Sequence, residues 1–170
     1  MVSRRVRALL AGLAAAGLLV GPAGARAEEW GGIEPGLTTI DQVRARYGAP
    51  SKETRGKVEG HDTIQWVFED ARAPGGIQSL TIDYGLLTPQ GYKQTVVRAF
   101  RLVPKPKVFG KDTVAQAWGP PDAVSTPNEQ ETFFYKSGLV VIFTKDGTDT
   151  ALMTFTPPQP DASPRAAPRR

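Results

Sequence analysis

The hydrophobic positions of this chain change from a helical spacing to alternation, and the change occurs twice. In "GLTTIDQVRARYGAP", residues 36–50, apolar side chains recur at intervals of three and four, as on one face of a helix. These are Leu37, Ile40, Val43 and Tyr47. Thr38 can cap such a helix, and the closing Gly-Ala-Pro is typical of a helix end. At about three turns, this helix needs a packing partner.

That partner is predicted by the segments that follow. "TIQWVFED" (63–70) and "IQSLTIDYG" (77–85) alternate apolar and polar positions, as half-buried strands do, and "QTVVRAFRLV" (94–103) alternates less regularly. Trp66 falls on the apolar side of its strand, where a core position is expected. The first half of the chain therefore predicts a helix followed by three antiparallel strands.

The second half of the chain repeats this order. "KDTVAQAWG" (111–119) is a short helix pattern, and "ETFFYKSG", "LVVIFTKDG" and "ALMTFT" follow as strands. When Gly48 is aligned with Gly119, Val43 matches Val114 and Tyr47 matches Trp118. We therefore expect an α+β fold of two tandem helix-plus-three-stranded antiparallel sheet repeats, with sheets that either join edge to edge or pack side by side.

The ends of the chain predict export and set the boundaries of the repeats. "MVSRRVR" is cationic, an apolar run of about 14 residues follows, and Ala25–Ala27 fits a cleavage site, which together predict a signal peptide over residues 1–27. Export can be by the general or the twin-arginine route. We assign residues 28–104 to the first repeat, 105–157 to the second and 158–170 to a disordered Pro/Arg-rich tail. The expected location is periplasmic or secreted.

Charge and cysteine content exclude several classes of function. The whole chain has a net charge of +4, but four arginines and no acidic residue lie in the signal peptide, so the remaining chain is neutral and nucleic-acid binding is not expected. There is no cysteine, which excludes disulfides, thiol catalysis and a lipid-modified anchor. The basic tail could make weak contact with anionic envelope components.

The first helix and strand resemble a known family. The helix motif that begins at Gly36, together with the strand that follows it, resembles that of the outer-membrane assembly lipoprotein family BamE, also called SmpA/OmlA. The residues that carry this resemblance are Gly36, Leu37, Thr38, Asp41, Gln42, Val43, Gly48, Pro50, Trp66 and Phe68. Two such units in tandem also look like the β-lactamase inhibitory protein. BamE proteins normally have a lipobox cysteine and one unit, and the inhibitor has disulfides, so this chain departs from both.

The resemblance implies a non-catalytic module that binds another exported or outer-membrane protein. Catalysis finds little support in the residues themselves. His61 is the only histidine, and its neighbour Asp62 should point to the opposite side of an extended segment. We expect no enzyme activity, no cofactor and no metal.

Aromatic residues in the second half are candidates for the docking surface. In "TFFYKSGLVVIF" both faces of the strands are apolar, so one face needs a cover beyond its own helix. Either the first repeat covers it or a partner does. We assign partner binding to Phe134 and Tyr135, with Trp66 as a further candidate. Two alternatives are envelope-ligand binding (lipopolysaccharide or peptidoglycan) through Lys105, Lys107 and the tail, and a small periplasmic hydrolase that uses His61.

Overall fold

The computed structural model describes residues 26–158. Within this range there are two short helices and eight strands, together with two single 3-10 turns. In chain order the elements are α1 Ile40–Tyr47, β1 Lys52–Val58, β2 His61–Glu69, β3 Ile77–Thr88, β4 Gly91–Pro104, α2 Lys111–Trp118, β5 Ala123–Ser125, β6 Thr132–Phe134, β7 Leu139–Phe143 and β8 Thr150–Phe155.

All eight strands form one antiparallel sheet in the order β1-β2-β3-β4-β8-β7-β6-β5. The prediction of two tandem helix-plus-three-stranded repeats is therefore wrong. Each helix is followed by four strands, and the strands belong to a single undivided sheet that dominates the fold.

The two strands that the sequence pattern missed are the edges of the sheet. β1 is exposed along its whole length, and its sequence KETRGKV has no alternating apolar positions. β5 has three residues, all of them exposed. Alternation identifies strands with one buried face, whereas edge strands often carry charged residues that discourage pairing with other chains.

The two halves of the chain meet where β4 pairs with β8. Phe100 pairs with Phe155, and the next pair is Arg101 with Thr154. The sheet therefore continues edge to edge through this pair, so the first half does not lie over the strands of the second. The expected cover of one half by the other does not occur.

Both helices lie on the same face of the sheet. Val43 of α1 and Val114 of α2 are buried and belong to one hydrophobic core that extends across the sheet. The rest of this core comes from Ile33 before α1, from Tyr135 after β6 and from strand residues: Trp66, Phe68, Ile77, Leu80, Ile82, Tyr84, Val97, Phe100, Leu102, Phe133, Leu139, Val141, Phe143, Met153 and Phe155.

The first helix begins slightly later than its sequence indicates. Its N-cap is Thr39 instead of Thr38, and the Thr39 N–H donates to Oε1 of Gln42 at 2.8 Å, which is half of a capping box. Gly48 ends the helix with φ 77°. Leu37, which the pattern assigned to the buried face, precedes the helix and is 62% exposed.

The two halves share some contacts and differ in others. The N–H of Val97 in β4 donates to the Thr38 carbonyl at 2.8 Å, and the N–H of Thr150 in β8 donates to the Phe109 carbonyl at 2.9 Å, so the fourth strand of each half is bonded to the segment before its helix. The predicted match of Tyr47 with Trp118 is less regular. Tyr47 packs on Phe68 of β2, whereas Trp118 packs on Phe155 of β8.

Most of the predicted signal peptide, residues 1–25, and most of the predicted tail, residues 159–170, lie outside the described range. No helix in residues 26–158 combines the length and the apolar character needed to cross a membrane.

Candidate functional site: the open face of the sheet

The sheet face opposite the helices, here called the open face, carries no helix in residues 26–158, and most of its side chains are half-buried or exposed. Strand pairing places one row of its side chains across all eight strands. In spatial order this row is Lys52, Val67, Thr81, Arg101, Thr154, Val140, Phe134 and Ala123. Polar and charged side chains lie mainly in the first half of the row, and apolar ones in the second.

Four apolar side chains of the open face form what we call the apolar patch: Phe134, Val140, Ile142 and Leu152. Phe134 pairs with Val140, and Ile142 pairs with Leu152 on the next strand. Phe134 is 38% exposed and the other three are half-buried. Contiguous apolar side chains on a sheet surface are a common mark of an interaction site.

A polar network borders the apolar patch. Arg101 donates from Nη2 to Oδ2 of Asp83 at 2.8 Å, and Gln65 donates from Nε2 to Oδ1 of the same carboxylate at 2.7 Å. Each carboxylate oxygen of Asp83 therefore accepts one hydrogen bond. The Arg101 side chain remains 43% exposed, so it has donors facing solvent.

The spacing between the network and the patch follows from the pairing. Arg101, Thr154, Val140 and Phe134 lie on successive strands of the same row. Neighbouring strands are about 4.8 Å apart, so the backbone of Arg101 lies roughly 14 Å from that of Phe134. A single partner segment can therefore contact both.

The three residues predicted to bind a partner lie on different faces. Phe134 is on the open face, but Tyr135 is only 7% exposed in the core, where its hydroxyl donates to the Gly119 carbonyl at 3.1 Å. Burial raises the pKa of the Tyr135 hydroxyl. Neither Tyr135 nor Trp66, which is fully buried, can contact a partner on the open face, so the assignment of docking contacts to these two residues is corrected.

Trp66 also has a structural partner at the edge of the sheet. Its Nε1 donates to Oε2 of Glu53 at 2.9 Å, and the guanidinium of Arg44 lies 5.1 Å from the ring centroid. The hydrogen bond from Trp66 is the main reason that the pKa of Glu53 is lowered, and a bond from Arg55 adds to it. Trp66 therefore connects α1, β1 and β2.

Sequence reasoning missed the polar half of the open face. In "VVRAFRLV" two arginines interrupt an apolar strand, and this is the signal that indicates a solvated face. The sequences of β3 and β4 do not predict that Asp83 and Arg101 are in contact, because that contact depends on the register between the two strands.

Among residues 26–158, His61 and its neighbour Asp62 have separate partners. Its ring stacks on Tyr92 with centroids 4.4 Å apart. Asp62 pairs instead with Nζ of Lys57 at 3.0 Å. No group of three or more His, Cys, Asp or Glu side chains in the described chain is placed to hold a metal ion.

The lysines considered for envelope-ligand binding lie in the connector between β4 and α2. Lys105 and Lys107 are both exposed. The backbone N–H of Lys107 donates to Oδ1 of Asp149 at 3.0 Å, so the acidic side chain of a neighbouring loop lies close to this connector. The connector is separate from the apolar patch.

Comparison with known proteins gives one structural match. The crystal structure of the DUF4309 family protein YjgB from Bacillus subtilis matches with a TM-score of 0.46 and 13% sequence identity, over 75% of this chain and 83% of that chain. No protein-family model matches the chain, and no curated protein matches it. The functional interpretation therefore rests on the open face itself.

Proposed function

We propose that the chain is an exported, non-catalytic binding module of the cell envelope that docks another periplasmic or outer-membrane protein on its open face. The observation that supports this proposal most strongly is the apolar patch, whose residues lie outside the core and on which no helix packs in the described chain. The resemblance of the first helix to the BamE family is in agreement with such a role, as is the predicted signal peptide.

The neighbourhood of the patch indicates what the partner should carry. Apolar contact would be made on Val140, Ile142 and Phe134, and the exposed guanidinium of Arg101 favours a carboxylate on the same partner segment. Asp83 is already bonded on both oxygens, so it holds Arg101 in place and offers little to a second cation. The partner is accordingly an exported protein with an acidic side chain next to an apolar segment.

Site-specific photo-crosslinking in cells that export the protein tests this proposal. A photoreactive phenylalanine analogue at Val140 should give a discrete crosslinked protein, whereas the same analogue at Gln116, exposed on α2, should not. Ile142→Asp and Arg101→Glu, each combined with the Val140 analogue, should abolish the crosslink. Equal crosslinking from both positions, or a crosslink that survives both substitutions, would contradict docking on the open face.

The response to salt separates the proposal from envelope-ligand binding. Exposed ionic contacts are screened over about 8 Å at physiological ionic strength, so binding through Lys105 and Lys107 should disappear at high salt. High salt should weaken docking on the apolar patch only by the part of the binding energy that the Arg101 ion pair supplies. A crosslink that is lost entirely at high salt but survives Ile142→Asp would favour the ionic alternative.

A further inference from the structure

A pocket of about 310 Å³ lies on the first half of the sheet, away from the apolar patch. Its rim carries two exposed apolar side chains, Val58 (44% exposed) and Leu87 (59% exposed), with Leu86 beside them. His61, Thr63 and Arg98 supply its polar lining. The volume is at the lower end of the range of small-molecule sites.

One wall of this pocket is held in place by a contact across three strands. Tyr92 of β4 passes over Gly85 of β3 and donates its hydroxyl hydrogen to the carbonyl of Asp62 on β2. A Cβ at Gly85 would overlap the Tyr92 hydroxyl, so glycine is required for this crossing. His61 then stacks on the Tyr92 ring at 4.4 Å. Contacts within the chain therefore hold the aromatic wall in place.

Arg98 provides the charge of the pocket. Its side chain is half-buried and lines both this pocket and an adjoining one of about 280 Å³. It has no ion pair or hydrogen bond with any residue in the described range. Asp83 lines the adjoining pocket but is bonded to Arg101 and Gln65, and the one acidic residue of the described chain that lines the 310 Å³ pocket is Glu59, which is exposed on the turn between β1 and β2. A partly buried guanidinium without a partner favours an anionic ligand.

We infer that this pocket binds a monocarboxylate with a small apolar tail. Arg98 pairs with the carboxylate, and the tail lies between the side chain of Leu87 and the His61–Tyr92 stack. The same chemistry is supplied by a free short-chain acid and by the C-terminal residue of a peptide. The site is distinct from the apolar patch and does not depend on docking there.

His61 is the only histidine in the sequence, so its ring protons are a single-residue reporter in a proton NMR spectrum. The intact mature protein is titrated with sodium hexanoate, with N-acetyl-alanyl-leucine and with the amide of that peptide, at constant pH and matched ionic strength. The two acids should shift the His61 signals in a saturable way, and the amide should not. A peptide acid that binds more tightly than hexanoate identifies a C-terminus as the source, and the reverse order identifies a free acid.

Arg98→Gln should weaken acid binding at least tenfold, whereas Lys145→Gln, at an exposed lysine in the loop between β7 and β8, should leave it unchanged. The comparison of acid with amide needs no variant, so it holds even if Arg98→Gln fails to fold. The inference is overturned if no carboxylate moves the His61 signals, if the amide moves them equally, or if folded Arg98→Gln binds as well as the wild type. None of these results bears on docking at the apolar patch.

Discussion

Phe100 and Phe155 stack face to face at the centre of the sheet, with ring centroids 4.4 Å apart and planes 8° from parallel. They belong to β4 and β8, the only pair of strands that joins the two halves in the described sheet. Both are fully buried. This contact turns two four-stranded segments into one sheet and leaves the open face continuous across the junction.

Truncation of this stack should destabilise the whole domain. Phe155→Ala removes a buried aromatic ring and should lower the free energy of unfolding by about 3–5 kcal/mol. Thr154→Ala, the adjacent position on the open face, should cost less than about 1 kcal/mol. Urea unfolding followed by circular dichroism and by tryptophan fluorescence should give coincident single transitions. Two separate transitions would show that the halves fold independently.

Adjacent aromatic residues in β6 and the turn that follows should respond in opposite ways to a charge. Phe134→Asp places a carboxylate on the open face and should change the unfolding free energy by less than about 1 kcal/mol. Tyr135→Asp buries a charge in the core and should prevent folding or cost more than about 4 kcal/mol. Thermal melting of both variants measures this difference, and similar melting temperatures would refute the assigned faces.

Two glycines with positive φ should differ in their tolerance of alanine. At Gly138, with φ 100°, a Cβ would overlap the carbonyl oxygen of Thr156, whereas at Gly48, with φ 77°, it would meet nothing within 4 Å. Gly48→Ala should cost about 1–3 kcal/mol for the backbone conformation alone, because φ 77° with ψ −154° is a region that only glycine adopts readily. Gly138→Ala should cost more, because the overlap with the Thr156 carbonyl adds to the backbone strain. Urea denaturation of both variants tests this order, and equal costs would show that a shift of β7 relieves the overlap.

Glu53 should make stability depend on acidic pH. Its pKa is lowered from the ordinary value of 4.5, first by the hydrogen bond from Trp66 and then by that from Arg55. The associated stabilisation is complete above that ordinary value and is lost as pH falls through the lower folded-state pKa. Melting temperatures measured from pH 7 to pH 2 should show the wild type losing its advantage over Glu53→Gln in this acidic window. A difference that stays constant with pH would contradict a contribution from the charge.

Removal of the Tyr84 hydroxyl should not destabilise the protein. Tyr84 is fully buried, and its hydroxyl has no hydrogen-bond partner among residues 26–158. Burial raises the pKa of this hydroxyl above its ordinary value. Tyr84→Phe should therefore leave the free energy of unfolding unchanged or increase it by about 1–3 kcal/mol, the cost of an unpaired buried polar group. A loss of stability in urea denaturation would reveal a partner for the hydroxyl.

The pattern of hydrophobic positions predicted the helices and strands that have a buried face. It did not predict the strands whose side chains are all exposed. The apolar spacing around Val43 and Val114 located both helices, alternation located β2, β3 and β4, and apolar runs between turn residues located β6 and β7. β1 carries only exposed side chains, so the pattern of hydrophobic positions does not indicate that it pairs with β2.

The candidate site was predictable only in part, for a related reason. In "TFFY" three aromatic residues follow one another, so the pattern alone cannot decide which side chains face the core, and Tyr135, which is buried, was assigned to partner binding. The contact of Arg101 with Asp83 depends on strand register, which a single sequence does not specify. The structure places Phe134 on the open face, and its assignment to partner binding stays a prediction.

The central claim is that a partner covers the open face in the cell envelope. Hydroxyl-radical footprinting with mass spectrometry measures this directly, by comparing the protein in intact envelopes with the purified protein. We predict that oxidation of Phe134 falls at least fivefold in the envelope, whereas oxidation of Leu37, which is 62% exposed outside the open face, stays the same. Equal oxidation of Phe134 in both samples would contradict the claim.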